Sequence, residues 1–149
     1  NYKKGFTLIE IMIVIIIMII IIAVALPSFN NSRDQEILKA TASDVFSSLD
    51  KARSQTLASV GSSEYGVHFQ SDKIVIFKGT TYSSSDTNNE SISITSPATI
   101  STISLTGGVA DLYFNRLSGA PNKTGTITVS ISSFSKIITI SATGAVSMN

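Results

Sequence analysis

The amino-acid sequence predicts an α+β protein: a long N-terminal α-helix, transmembrane in its first half and amphipathic in its second, packed on a C-terminal antiparallel β-sheet domain. Three observations carry that prediction. Ile11 to Leu26 is unbroken hydrocarbon. Leu38, Ala42, Val45, Leu49 and Ala52 recur at steps of four and three, the spacing of one helical face. From Tyr65 onward, apolar side chains recur at period two, the spacing of one strand face.

The first element runs from Phe6 to Leu26, where Thr7 and Glu10 are the polar residues. As a helix this stretch is about 31 Å long, the thickness of a bilayer core. A soluble helix has no need to be apolar all round. Lys3 and Lys4 precede the run and Arg33 follows it, so the positive-inside rule places the N-terminus in the cytoplasm and the body outside. A secretory signal with Ala23-Val24-Ala25 as its cleavage site is the competing reading. Three features favour a retained helix. The run exceeds a signal core of ~7–15 residues. Glu10 lies inside it, where a carboxylate is expensive. Helical periodicity also resumes directly after Pro27. Pro27 either kinks the helix or takes its N1 position at the membrane exit.

Lys3-Lys4-Gly5-Phe6-Thr7-Leu8-Ile9-Glu10 resembles the cleavage and methylation signature of type IV pilins and type II secretion pseudopilins. The resemblance implies a leader at residues 1–5, cut between Gly5 and Phe6 by prepilin peptidase, and N-methylation of Phe6. It implies that Glu10 assists assembly by pairing with the terminal amine of a neighbouring subunit. The physics agrees: cleavage leaves the apolar helix attached and creates a cation, and a carboxylate four residues on then has a partner in a dry filament core.

Residues 31–60 form the amphipathic helix, with Phe46, Leu57 and Val60 widening its apolar stripe and Gly61 ending it. Asp34 and Glu36 lie early and Lys51 and Arg53 late, as the helix dipole prefers. The stretch DVFSSLDKARSQTLASVGSSEYGVHF, with its Ala-Arg pair, resembles the GspH/FimT branch of the pseudopilins. So, loosely, do FNRLSGAP (Phe114–Pro121) and the terminal Gly144-Ala145-Val146.

Residues 61–149 read as the β domain. Tyr65–Phe69 and Lys73–Lys78 flank a Gln70-Ser71-Asp72 turn, a hairpin signal. Ile92/Ile94 and Ile100/Ile103/Leu105 give two weaker strands around Pro97, and Leu112–Phe114 a short one. Ile127, Val129 and Ile131 alternate with Thr and Ser, and a Ser133-Phe134-Ser135 turn leads to Ile137–Ile140. The expected result is two small antiparallel sheets against the helix stripe, with residues 79–91 as an exposed polar loop.

Composition narrows function. Charged residues make up 14%, against ~25% in soluble domains, and the net charge is +1. With no Cys there is no disulfide framework, thiol nucleophile or Cys-ligated metal. His68, the single imidazole, reads as a half-buried strand residue, and no G-x-S-x-G occurs. Asp86-Thr87-Asn88-Asn89-Glu90 loosely suggests a calcium loop but lacks the Gly and the distant bidentate Glu. The Asn-x-Ser/Thr triplets at Asn30, Asn89 and Asn122 read as chance in an Asn/Ser/Thr-rich chain. Some FimT-like minor pilins capture DNA through a basic tail; here the tail carries no Arg, and Arg116, Lys123 and Lys136 are the residues that could gather as a DNA contact.

The resulting expectation is a pilin-like minor pilin or pseudopilin that catalyses no reaction and uses no cofactor or metal. Its expected partners are other pilin or pseudopilin subunits, prepilin peptidase and cytoplasmic-membrane lipid. It would first sit single-pass in that membrane, then in an extracellular or periplasmic filament. The alternatives are a DNA-binding minor pilin and a membrane-anchored β-domain with no filament role.

Overall fold

A computed structural model describes residues 5–149, the side chains of residues 25–30 excepted. Lys3 and Lys4 of the expected leader lie outside the described residues. The chain divides between Arg33 and Asp34 into two compact units. Both draw on one helix, α1 (Leu8–Leu57). The class is α+β, as the periodicities require.

In the first unit the described side chains, Gly5 to Val24 and Asn31 to Arg33, are all exposed. Between Ile11 and Val24 every residue is apolar, so that stretch of α1 has no polar face.

The second unit holds the remainder of α1 and eight strands: β1 Tyr65–Phe69, β2 Lys73–Lys78, β3 Glu90–Ser93, β4 Thr99–Leu105, β5 Asp111–Tyr113, β6 Gly125–Ile131, β7 Phe134–Ile140 and β8 Val146–Met148. They form two four-stranded antiparallel sheets, ordered β3-β2-β1-β5 and β4-β6-β7-β8. Leu38, Ala42, Val45, Leu49 and Ala52 of α1 join both sheets in one core. Sheet one contributes Val67, Phe69, Ile74 and Ile76, and sheet two Ile127, Val129, Ile138 and Ile140. The helix thus supplies the wall that two small sheets lack.

Four expectations need correction. The amphipathic helix ends at Leu57, short of residue 60, and Val60–Ser62 form a separate 3₁₀ turn. The cause is local. Buried Thr56 donates its hydroxyl to the Ala52 carbonyl and accepts the Tyr65 amide at 2.9 Å, which starts β1 beside the helix end. Ser59 then turns the chain in a left-handed conformation. Second, the turn between β6 and β7 is Ser132-Ser133, with Ile131 paired to Phe134. The tighter turn lets Phe134 pack on the core rather than sit in the loop. Third, β8 pairs with β7, where the sequence signalled no strand.

Fourth, the polar loop at 79–91 is not simply exposed. Val75 and Phe77 point away from the helix side of β2 and are nonetheless buried. Tyr82 from the loop lies over that outer face, stacked on His68 at 3.9 Å between ring centres and edge-on to Phe77 at 5.7 Å. KIVIFK is a strand covered on both faces, which explains its continuous apolar run. Opposite Phe77, a Cβ at Gly66 would collide with the Phe77 ring, so the missing side chain there makes room for the aromatic.

Candidate functional site

The candidate site is the start of α1 with the apolar surface that follows. Gly5, Phe6 and Thr7 lie outside the helix and are exposed, and among the described residues beyond its chain neighbours a Cβ at Gly5 would meet nothing within 4 Å. Thr7 is the N-cap. Its carbonyl accepts the amides of Glu10 (3.1 Å) and Ile11 (3.3 Å), and its hydroxyl oxygen accepts the Glu10 amide at 3.3 Å. Glu10 therefore sits at N3 of a Thr-x-x-Glu capping-box sequence, in the first turn, where the helix dipole favours an acid. Spacing from Phe6 singles out Glu10 in the sequence, and the Thr-x-x-Glu pattern that signals the cap lies in the same residues.

From Leu8 to Val24 the apolar side chains are exposed: Leu8 is 79% exposed, Ile16 54% and Val24 74%. Among the described residues, no helix is long and apolar enough to cross a membrane. The apolar run Ile11–Leu26 extends into residues 25 and 26, whose side chains lie outside the described residues. Pro27's side chain lies outside them too; the helix is continuous through position 27, well away from an N1 position.

The three candidate DNA contacts are not brought together. Arg116 donates to the Ser62 carbonyl just past the end of α1. Lys136 lines an open groove of about 500 Å³ with Gln35, Glu36 and Lys39. Lys39 and Leu57 are eighteen residues apart on α1, about 27 Å, so Lys136 and Arg116 mark opposite ends of that helical stretch. Lys123 is engaged by Asp111, donating to its carbonyl at 2.7 Å and lying 3.5 Å from its carboxylate.

His68 pairs across the strands with Asp111 and Val75, and its Nδ1 is buried without a partner. Burial pushes its imidazole below the ordinary value; Asp111 opposes that shift and Lys73 adds to it. In the polar loop, the backbone and side-chain nitrogens of Asn88 donate to the Asp86 carboxylate at 2.9 and 2.8 Å, holding it below the usual carboxylate range. Among the described residues, no three His, Asp or Glu side chains are grouped to hold a metal ion.

The end of α1 meets two C-terminal connections at Arg53. Arg53, of the Ala-Arg pair, donates through Nε to the Gly119 carbonyl at 3.0 Å and through Nη2 to the Thr143 carbonyl at 3.4 Å. A Cβ at Gly144 would collide with the Gly119 carbonyl oxygen. One guanidinium thus ties the 115–120 loop and the 141–145 turn to the end of α1. Sequence alone gave Arg53 a place in the last turns of a helix but no partners, because both acceptors are backbone carbonyls remote in the chain.

No curated protein and no solved structure matches the chain. A model of the prokaryotic N-terminal methylation motif matches residues 1–26, so the segment holding Gly5, Phe6 and Glu10 is a type IV pilin-like signal.

Proposed function

We propose that this protein is a filament subunit: a pilin-like minor pilin or pseudopilin, of the GspH/FimT kind, serving a type IV pilus or a type II secretion pseudopilus. The observation that carries the reading is the methylation motif at residues 1–26 lying on the early part of α1, where the described apolar side chains from Leu8 to Val24 are exposed. Such a surface must be covered from outside, by lipid before assembly and by like helices after it. Exchange of lipid for helices conserves apolar burial, so modest further contacts suffice to drive it. Prepilin peptidase cuts after Gly5, Phe6 becomes the methylated terminus, and Glu10 receives the amine of a neighbouring subunit. The protein itself catalyses nothing. The wide separation of Lys136 from Arg116, and the pairing of Lys123 with Asp111, favour this reading over a DNA receptor.

Mass spectrometry of the mature chain tests it. A terminus at N-methylated Phe6 is expected; a terminus near Leu26 overturns it. In cells that process the precursor normally, Glu10→Ala should abolish incorporation into filaments, and unchanged incorporation would remove Glu10 from its role.

A further inference from the structure

Resting on the processing just proposed, we infer that Thr7 is a positioning residue for cleavage: by capping the helix it fixes the first helical residue at Leu8 and keeps the Gly5–Phe6 bond in non-helical chain, where a peptidase can take it.

The argument starts from what cleavage needs. Hydrolysis adds hydroxyl to the Gly5 carbonyl carbon and a proton to the Phe6 nitrogen, and the peptidase must hold that amide free of other commitments. A peptide bond inside a helical turn has to be opened first, and that opening lowers the fraction of competent substrate. Here the helix would extend upstream readily. Phe6 is apolar like the residues after it, and Gly5 is itself an acceptable N-cap. A start at Phe6 would draw the scissile amide into the first turn.

Thr7 opposes that shift. Its hydroxyl accepts the Glu10 amide at 3.3 Å and its carbonyl takes the first two helical bonds. An N-cap residue holds non-helical backbone angles, so a capped Thr7 is itself outside the helix. The flanking sequence has the residue types of such a start, with apolar Phe6 and Ile11 at N′ and N4 and Glu10 at N3. Gly5, Phe6 and Thr7 are accordingly non-helical and exposed.

The test uses the full-length precursor in membrane vesicles with prepilin peptidase, comparing wild type, Thr7→Val and Thr7→Asn. Val keeps the size and β-branching but has no acceptor. Asn is a strong cap with no hydroxyl and a different shape. The expected result is that kcat/KM for cleavage falls about fivefold in Thr7→Val, the factor a typical cap is worth, and stays at the wild-type value in Thr7→Asn. Equal rates for all three overturn the inference. Slow cleavage of both variants also overturns it, since the peptidase would then be reading the Thr hydroxyl or shape. A wild-type chain left uncut, or cut elsewhere, overturns the processing reading itself.

Discussion

The two parts of α1 are built from the same kind of side chain and treat it in opposite ways. In the first unit Ile15 to Ile22 are each half exposed or more, whereas in the second unit Val45 and Leu49 of the same helix reach 0%. Burying one such side chain fully is worth about 1.5–3 kcal/mol. Over the exposed segment that amounts to tens of kcal/mol with no source within the chain. The difference lies in patterning. Residues 38–52 interrupt their apolar positions with Lys39, Asp44, Asp50 and Lys51, so one face can seat on two sheets. Residues 11–24 offer no polar face, and only an environment that surrounds the helix can cover them.

That contrast can be broken or sharpened by substitution, in full-length protein held in detergent. The largest expected effect is at Leu49, buried at 0% where α1 faces both sheets. Leu49→Ala should lower unfolding stability by about 3 kcal/mol, read by chemical denaturation, while Ile16→Ala in the exposed segment should leave it within about 0.5 kcal/mol. A comparable loss at both positions would erase the distinction. Next is Arg53→Ala, which strips two loop carbonyls of a partly buried donor and should lower stability by about 1–2 kcal/mol. Faster amide exchange confined to residues 115–120 and 141–145 would trace the loss to that clamp.

A smaller effect is expected from pH. His68 resists protonation in the folded state because of its burial. As the pH falls through the ordinary imidazole value of ~6.5, the unfolded chain takes up the proton first, so stability present above that pH is lost below it. The His68→Gln variant should show a flatter decline between pH 7.5 and 5, and NMR titration should place the wild-type midpoint below the ordinary value. Smallest is the Lys51–Glu90 ion pair at 2.6 Å, whose side chains are about half exposed. Glu90→Gln should change stability by at most ~0.5 kcal/mol, and less in high salt.

The helix stripe and the strands β1, β2 and β6 were legible because each buries a repeating set: Ala42, Val45 and Leu49 at helical steps, Ile127, Val129 and Ile131 at period two. Features made by single remote contacts were not. Thr56 ends α1 by reaching the Tyr65 amide, Tyr82 covers His68 from a stretch of Ser and Asn, and β8 exists because β7 offers it an edge. None of these leaves a period in the sequence. At the site, Gly5, Phe6 and Glu10 stand out in the sequence through their resemblance to the pilin signature, while the Thr7 cap is a helix-start signal that the apolar spacing does not carry.

The double tie from Arg53 fixes where the body tolerates added mass. Its two acceptors, and the Gly144 backbone lying against Gly119, lock the lengths of both C-terminal connections together. Extra residues in either would pull the other off the guanidinium. Between Ser83 and Asn89 the chain closes on itself instead, through the Asn89 amide to the Ser83 carbonyl and the Asn88 bonds to Asp86. Thr87 stands exposed at that tip. An epitope or fluorophore attached there would label the molecule without disturbing its architecture.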